Sequence, residues 1–149
     1  VRDAPRSRDT RSSGYEGPRP VLSLLVVDDD PAWRDALKGW LEREGFRTIM
    51  LARADWIVPA VELHRPHVVV LDVNLPGVSG LEVLDSLIRR WPALPVVIMT
   101  AFGGASVGET ARRAGAAAYL EKPFRMAALV AEIRRVARPG RADQFAADA

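Results

Sequence analysis

Carboxylate, hydroxyl and ammonium groups stand where apolar runs stop in this chain, and those group types at those positions suit nucleophilic or metal-ligand chemistry. Residues 67–80 read H-V-V-V-L-D-V-N-L-P-G-V-S-G, an apolar run that closes on Asp72 ahead of a loop with Asn74, Pro76, Gly77 and Gly80. A β-branched run bounded by turn residues reads as a strand buried on both faces, the central kind in a parallel sheet. Open α/β sheets place their ligands at the carboxyl ends of such strands, so Asp72 is positioned as a nucleophile or a metal ligand. The alternative is a strand-capping aspartate bonded to loop amides, and this strand alone leaves both readings open. Three further runs behave alike: Asp28, Asp29 and Asp30 follow residues 21–27, Thr100 closes 95–100, and Lys122 follows 116–120.

The elements that must position these groups can be read from periodicity. Residues 21–27 (V-L-S-L-L-V-V) form a first buried strand. Pro31 opens a helix at its first position, with Asp30 as N-cap and Gly45 as the stop. Trp33, Leu37, Trp40 and Leu41 recur on that helix at core spacing. Residues 47–51 are a shorter second strand. The second helix, within 54–63, carries Pro59, so it either starts near Ile57 or is kinked. Ser79 and Glu82 fit a capping box for the third helix, with Val83, Leu84, Leu87, Ile88 and Trp91 as its buried stripe. The fourth helix is interrupted by Gly103, Gly104 and Gly108 and has only Val107 as a large apolar anchor, so it is expected to be short or labile. Leu129, Ile133 and Val136 give the last helix its inner face. Five strands alternating with five helices imply a doubly wound α/β fold, a parallel sheet covered on both faces, whose strand ends share one edge.

Composition narrows the function classes. A chain of 149 residues is one domain by size. It has no Cys, which removes disulfides and thiolate chemistry. No apolar run approaches the ~20 residues of a membrane span, and no signal-peptide pattern is present, so a cytoplasmic protein without membrane association is expected. Residues 1–20 hold five Arg against two Asp and one Glu, which accounts for the whole net charge of +2. The folded part is therefore formally neutral, and direct nucleic-acid binding by it is not expected. Residues 1–20 read as a disordered basic tail, 21–138 as the folded domain and 139–149 as a flexible tail. His64 and His67, without Cys or carboxylate at ligand spacing, read as surface histidines.

Taken together, L-L-V-V-D-D-D-P, V-V-L-D-V-N-L-P-G-V-S-G, M-T-A and Y-L-E-K-P-F resemble the receiver domain of two-component response regulators, in order, across residues 22–137. The resemblance implies a flavodoxin-like five-stranded sheet of order 2-1-3-4-5. It implies that Asp72 is the phosphoacceptor, that Asp28 and Asp29 hold Mg²⁺ with Asp72, and that the backbone carbonyl of Asn74 completes the protein ligands. Thr100 matches the switch hydroxyl, Lys122 the phosphate-binding lysine and Tyr119 the switch aromatic. A cis Lys122–Pro123 bond is implied as well. The partners implied are a sensor histidine kinase, an output domain or effector of unknown kind, and a homodimer through the fourth helix, fifth strand and fifth helix. Such a domain is not an enzyme beyond catalysing its own aspartyl phosphorylation and dephosphorylation.

The chemistry stands without the family. Ionised Asp28, Asp29 and Asp72 carry −3, which Mg²⁺ and Lys122 bring to zero. Without the metal, each close carboxylate pair repels by on the order of 4 kcal/mol at 4 Å and effective dielectric 20. An acyl phosphate on Asp72 adds acceptor oxygens that Lys122 and Thr100 can meet, and an inward Thr100 makes room for Tyr119. Phe102 stands where it could shield that phosphate from water. Two rivals remain at this stage. One is a haloacid dehalogenase-type phosphatase using Asp28 and Asp30, which leaves Asp72 unexplained and lacks the later acidic cluster. The other is a non-phosphorylated, binding-only receiver, which usually lacks one of the five site residues.

Overall fold

The computed structural model describes residues 20–101 and 103–137. The tails expected at 1–20 and 139–149 fall outside them apart from Pro20, as does Phe102. Strands β1 (Ser23–Val27), β2 (Arg47–Leu51), β3 (Val68–Asp72), β4 (Val96–Thr100) and β5 (Ala118–Glu121) form one parallel sheet in the order β2-β1-β3-β4-β5. Helices α1 (Pro31–Arg43), α2 (Ile57–His64), α3 (Gly80–Arg90), α4 (Ala105–Arg113) and α5 (Met126–Val136) connect or follow them. Residues 74–75 and 78–79 pair as a small antiparallel ribbon after β3.

Strand alternation divides the core in two. Leu24, Val26, Val68, Val70, Val97 and Met99 face α1 and α5. Leu25, Val27, Val69, Leu71, Val96 and Ile98 face α2, α3 and α4. β1, β3 and β4 are thus buried on both sides, which is why their sequences are apolar without alternation. The site residues sit where these strands stop.

Local chemistry starts the helices that frame that edge. Asp30 Oδ1 accepts from the N–H groups of Ala32 and Trp33, capping α1 ahead of Pro31. Ser79 caps α3 by accepting from Leu81 N–H. The Pro59 question resolves toward a late start: a 3₁₀ turn at Ala54–Trp56 leads into α2 at Ile57, so the proline lies in the first turn, where its missing N–H costs nothing.

Several expectations need correcting. The first strand begins at Ser23, because Val21 lies beyond the sheet and is 59% exposed. The fifth spans Ala118–Glu121, two residues later than its apolar run starts. Leu37 and Leu41 are core, but Trp40 is exposed with the Arg43 guanidinium over its ring. His67 is half-buried, its Nδ1 accepting from Ser23 N–H, so only His64 is an exposed histidine. Of the three glycines assigned to the fourth helix, only Gly108 lies inside α4. The buried anchor of that helix is Ala111, while Val107 is half-exposed. Gly103 and Gly108 make room for Tyr119 as it stands. A Cβ on Gly103 would collide with the Tyr119 hydroxyl, and one on Gly108 would come within 3.0 Å of the Tyr119 ring.

Gly80 marks the tightest approach of a helix to the site strand. A Cβ there would collide with Val73 Cα and stand 2.8 Å from the carbonyl oxygen of Asp72, both backbone atoms. Gly80→Ala should therefore push α3 off the end of β3 and destabilise the domain by about 1–3 kcal/mol, measured as a lower urea midpoint with unchanged m-value.

Candidate functional site

Adjacent registers place the acidic groups side by side. Val27 of β1 pairs with Leu71 of β3, so Asp28 and Asp72 leave neighbouring strands at the same level. Both are buried, Asp72 being 5% exposed, while Asp29 one residue on is exposed. Carboxylate oxygens of Asp28, Asp29 and Asp72 lie within 4.8 Å of one another. Lys122 reaches back from the end of β5, and its Nζ donates to Asp28 Oδ2 at 2.7 Å and Asp72 Oδ2 at 3.1 Å. The Lys122–Pro123 peptide is cis, as the resemblance implied.

Backbone groups fix the other oxygens. Asp28 Oδ1 accepts from Asp30 N–H at 2.9 Å, and Asp72 Oδ1 accepts from Asn74 N–H at 2.8 Å. Asp72 is therefore bonded to a loop amide, as the capping alternative required, but its second oxygen meets an ammonium and its carboxylate clusters with two others. Capping alone does not gather those groups. Thr100, fully buried, accepts from the Asn74 side-chain amide at 2.9 Å, and its carbonyl accepts from Lys122 N–H at 2.8 Å. The hydroxyl and the lysine are thus tied through adjacent strands. Tyr119 stands apart from the carboxylates, half-buried, its ring against Gly108 and its hydroxyl donating to Glu121 Oε1 at 3.3 Å.

Burial drives the electrostatics. It raises the pKa of Asp72, as does the charge of Asp28, against the lowering effect of Asn74 N–H and Lys122. Burial disfavours the charge on Lys122, but its hydrogen bonds to Asp28 and Asp72 and their charges outweigh that and raise its pKa. The Tyr119 hydroxyl is pushed up by burial and by the neighbouring Glu121 carboxylate. Three clustered carboxylates facing one ammonium leave a net charge of −2 when ionised. Hard oxygen donors with that deficit fit Mg²⁺, which prefers few carboxylates and retained waters.

The structure gathers Asp28, Asp29, Asp72, Asn74, Thr100 and Lys122 at one edge. Asp30, the general acid of the phosphatase alternative, is instead occupied in capping α1. Sequence reasoning missed two residues beside the site. Arg34 Nη1 donates to the Asp28 carbonyl at 2.7 Å, and the Trp33 ring lies under Lys122. Both sit in the first turn of α1, and no spacing in the sequence connects Trp33 with a lysine from the other end of the chain.

The chain matches the response regulator receiver domain family over residues 24–134. It is 38% identical over 115 residues to the response regulator protein FleR of Pseudomonas aeruginosa, covering 77% of this chain and 24% of that one. It is 40% identical over 114 residues to the transcriptional regulatory protein FixJ of Azorhizobium caulinodans, covering 76% and 54%. The chain therefore spans about a quarter to a half of the length of these curated relatives. Among solved structures, a CheY-like receiver domain protein of Methanospirillum hungatei superposes with a TM-score of 0.73 at 28% identity, covering 78% of this chain and 93% of that one. No helix among the described residues is long and apolar enough to cross a membrane.

The raised pKa of Asp72 has a definite sign for stability. The folded chain holds this proton more tightly than the unfolded chain, so stability falls as pH rises from the ordinary carboxylate pKa through the raised one. At pH 7, ionised Asp72 is a net cost to the metal-free fold. Asp72→Asn should then raise the thermal midpoint in Mg²⁺-free buffer by a few degrees. Added Mg²⁺ should raise the midpoint of the parent chain and raise that of the variant far less. A midpoint lowered by the substitution would contradict the charge argument.

Proposed function

This chain belongs to the response regulator receiver domain family, and from that premise we propose that Asp72 is its phosphoacceptor. The observation that carries the assignment is the position of Asp72, buried at the sheet edge, sharing the Lys122 ammonium with Asp28 and within ligand distance of Asp29. The domain limits of 21–138 belong to the same reading.

Asp28, Asp29 and Asp72 would hold Mg²⁺, with the Asn74 carbonyl as a further ligand. Bound there, the ion would neutralise carboxylate charge and supply Lewis-acid stabilisation for a phosphoryl group. A carboxylate oxygen of Asp72 forms a bond to phosphorus as the bond from phosphorus to the donor breaks. For a sensor histidine kinase that donor atom is an imidazole nitrogen, which keeps the departing electron pair. The Lys122 ammonium, held between Asp28 and Asp72, meets a phosphoryl oxygen as negative charge shifts onto it. The Thr100 hydroxyl donates to another, drawing the end of β4 toward Asp72. Its carbonyl already holds Lys122 N–H, so the movement passes to β5 and to Tyr119 against α4. The surface of α4, β5 and α5 is the readout, and its self-association or contact with an output domain is the consequence. The chain acts on itself alone, as the regulator in a cytoplasmic kinase–regulator pair.

Incubation with a small phosphodonor and Mg²⁺ should add one phosphoryl group, labile to base and to hydroxylamine. Asp72→Asn should abolish labelling. Asp29→Ala should weaken Mg²⁺ binding and cut labelling at least a hundredfold while leaving the fold intact, since Asp29 is exposed. Full labelling of Asp72→Asn, or unchanged Mg²⁺ affinity in Asp29→Ala, would overturn the assignment.

A further inference from the structure

The aromatic group under Lys122 is not accounted for by the phosphoacceptor chemistry. Trp33 lies in the first turn of α1, and the Lys122 Nζ stands 5.0 Å from its ring centroid. The ring also meets Phe124 in a T-shaped contact, centroids 5.4 Å apart at 79°. Its indole N–H is buried and has no hydrogen-bond acceptor, alone among buried side-chain polar atoms of the described residues. A buried donor left unpaired opposes this placement. The ring is therefore held where it is by its packing and by the cation it carries, not by a bond of its own.

From this geometry we propose that Trp33 is a positioning residue for Lys122, keeping the ammonium dry and aimed at Asp72 while its hydrogen-bond partner changes. The argument rests on Asp72 being the phosphoacceptor. Before transfer, the ammonium is bonded to Asp28 and Asp72. After transfer, it must follow charge that has moved outward onto phosphoryl oxygens. A carboxylate holds an ammonium at one directed distance, whereas a ring face attracts it through a quadrupole that tolerates a shift across the face. Trp33 thus supplies attraction that survives the move and excludes water from one side of the ammonium. That exclusion strengthens the pull of the ammonium on the phosphoryl oxygens. The side chain of Lys122 is only 17% exposed, as this role requires.

Two substitutions separate ring electrostatics from bulk. Trp33→Phe keeps a ring face, and Trp33→Leu keeps an apolar side chain without one. With acetyl phosphate and saturating Mg²⁺, the Phe variant should label Asp72 within about threefold of the parent rate. The Leu variant should be slower by about tenfold. Saturating Mg²⁺ keeps out of the comparison any change in Mg²⁺ affinity that Lys122 passes on to Asp28 and Asp72. In metal-free samples, the ε-methylene protons of Lys122 should show an upfield ring-current shift in the parent and Phe variant that disappears in the Leu variant. Labelling of Trp33→Leu at the parent rate, or an equal loss in both variants, would overturn the proposal. So would the absence of the ring-current shift in the parent, whether or not the chain is phosphorylated. An unlabelled parent chain with the shift present would instead count against Asp72 as phosphoacceptor, and with it against the catalytic part of this role.

Discussion

Two buried carboxylates from neighbouring strands share a single ammonium, and the upper edge of the domain is arranged around that shortage of positive charge. At the separations within the acidic cluster, ionised pairs repel by roughly 3–4 kcal/mol each at an effective dielectric of 20. Lys122 relieves part of this through short bonds to Asp28 and Asp72. The residual negative charge is what makes the edge receptive to a divalent cation, and the cation in turn would make it receptive to a phosphoryl group. The protein groups alone leave the site electrostatically incomplete, which fits the proposed role. A site fully neutralised by protein groups would fold more stably and bind neither.

The arrangement depends on rigid delivery. β1 and β3 are buried on both faces, and their register leaves no freedom in where Asp28 and Asp72 emerge. The first turn of α1, fixed by the Asp30 cap and Pro31, brings Arg34 to the Asp28 carbonyl and Trp33 beneath Lys122. Gly80 lets α3 close against the end of β3. The opposite side of the site is looser in design. Tyr119 occupies a notch that exists because Gly103 and Gly108 lack side chains, and Gly104, at the N-cap of α4, offers no side-chain cap. The carboxylates therefore rest on firm support, while the helix beside Tyr119 lacks a side-chain cap at its start.

Much of this was legible in the residue order. Unbroken β-branched runs located the central strands, because burial on both faces is a local requirement on every residue of the strand. Asp30-Pro31, Gly45 and Ser79 located helix ends, because capping joins groups only a few residues apart. The convergence of Asp28, Asp29, Asp72, Thr100 and Lys122 followed from a parallel sheet having one carboxyl edge, and the family resemblance supplied their roles. Tertiary structure decided what depends on distance across the chain. It chose the late start of α2 at Ile57, left Trp40 partly exposed, made half-buried His67 an acceptor for Ser23, and set Gly103 and Gly108 against Tyr119. It also turned Trp33 from one member of an apolar stripe into the floor under the site lysine. Periodicity reports which side of an element is apolar, because that depends on near neighbours. It cannot report which distant side chain arrives there, because that partner is set only when the strands pair and the helices pack.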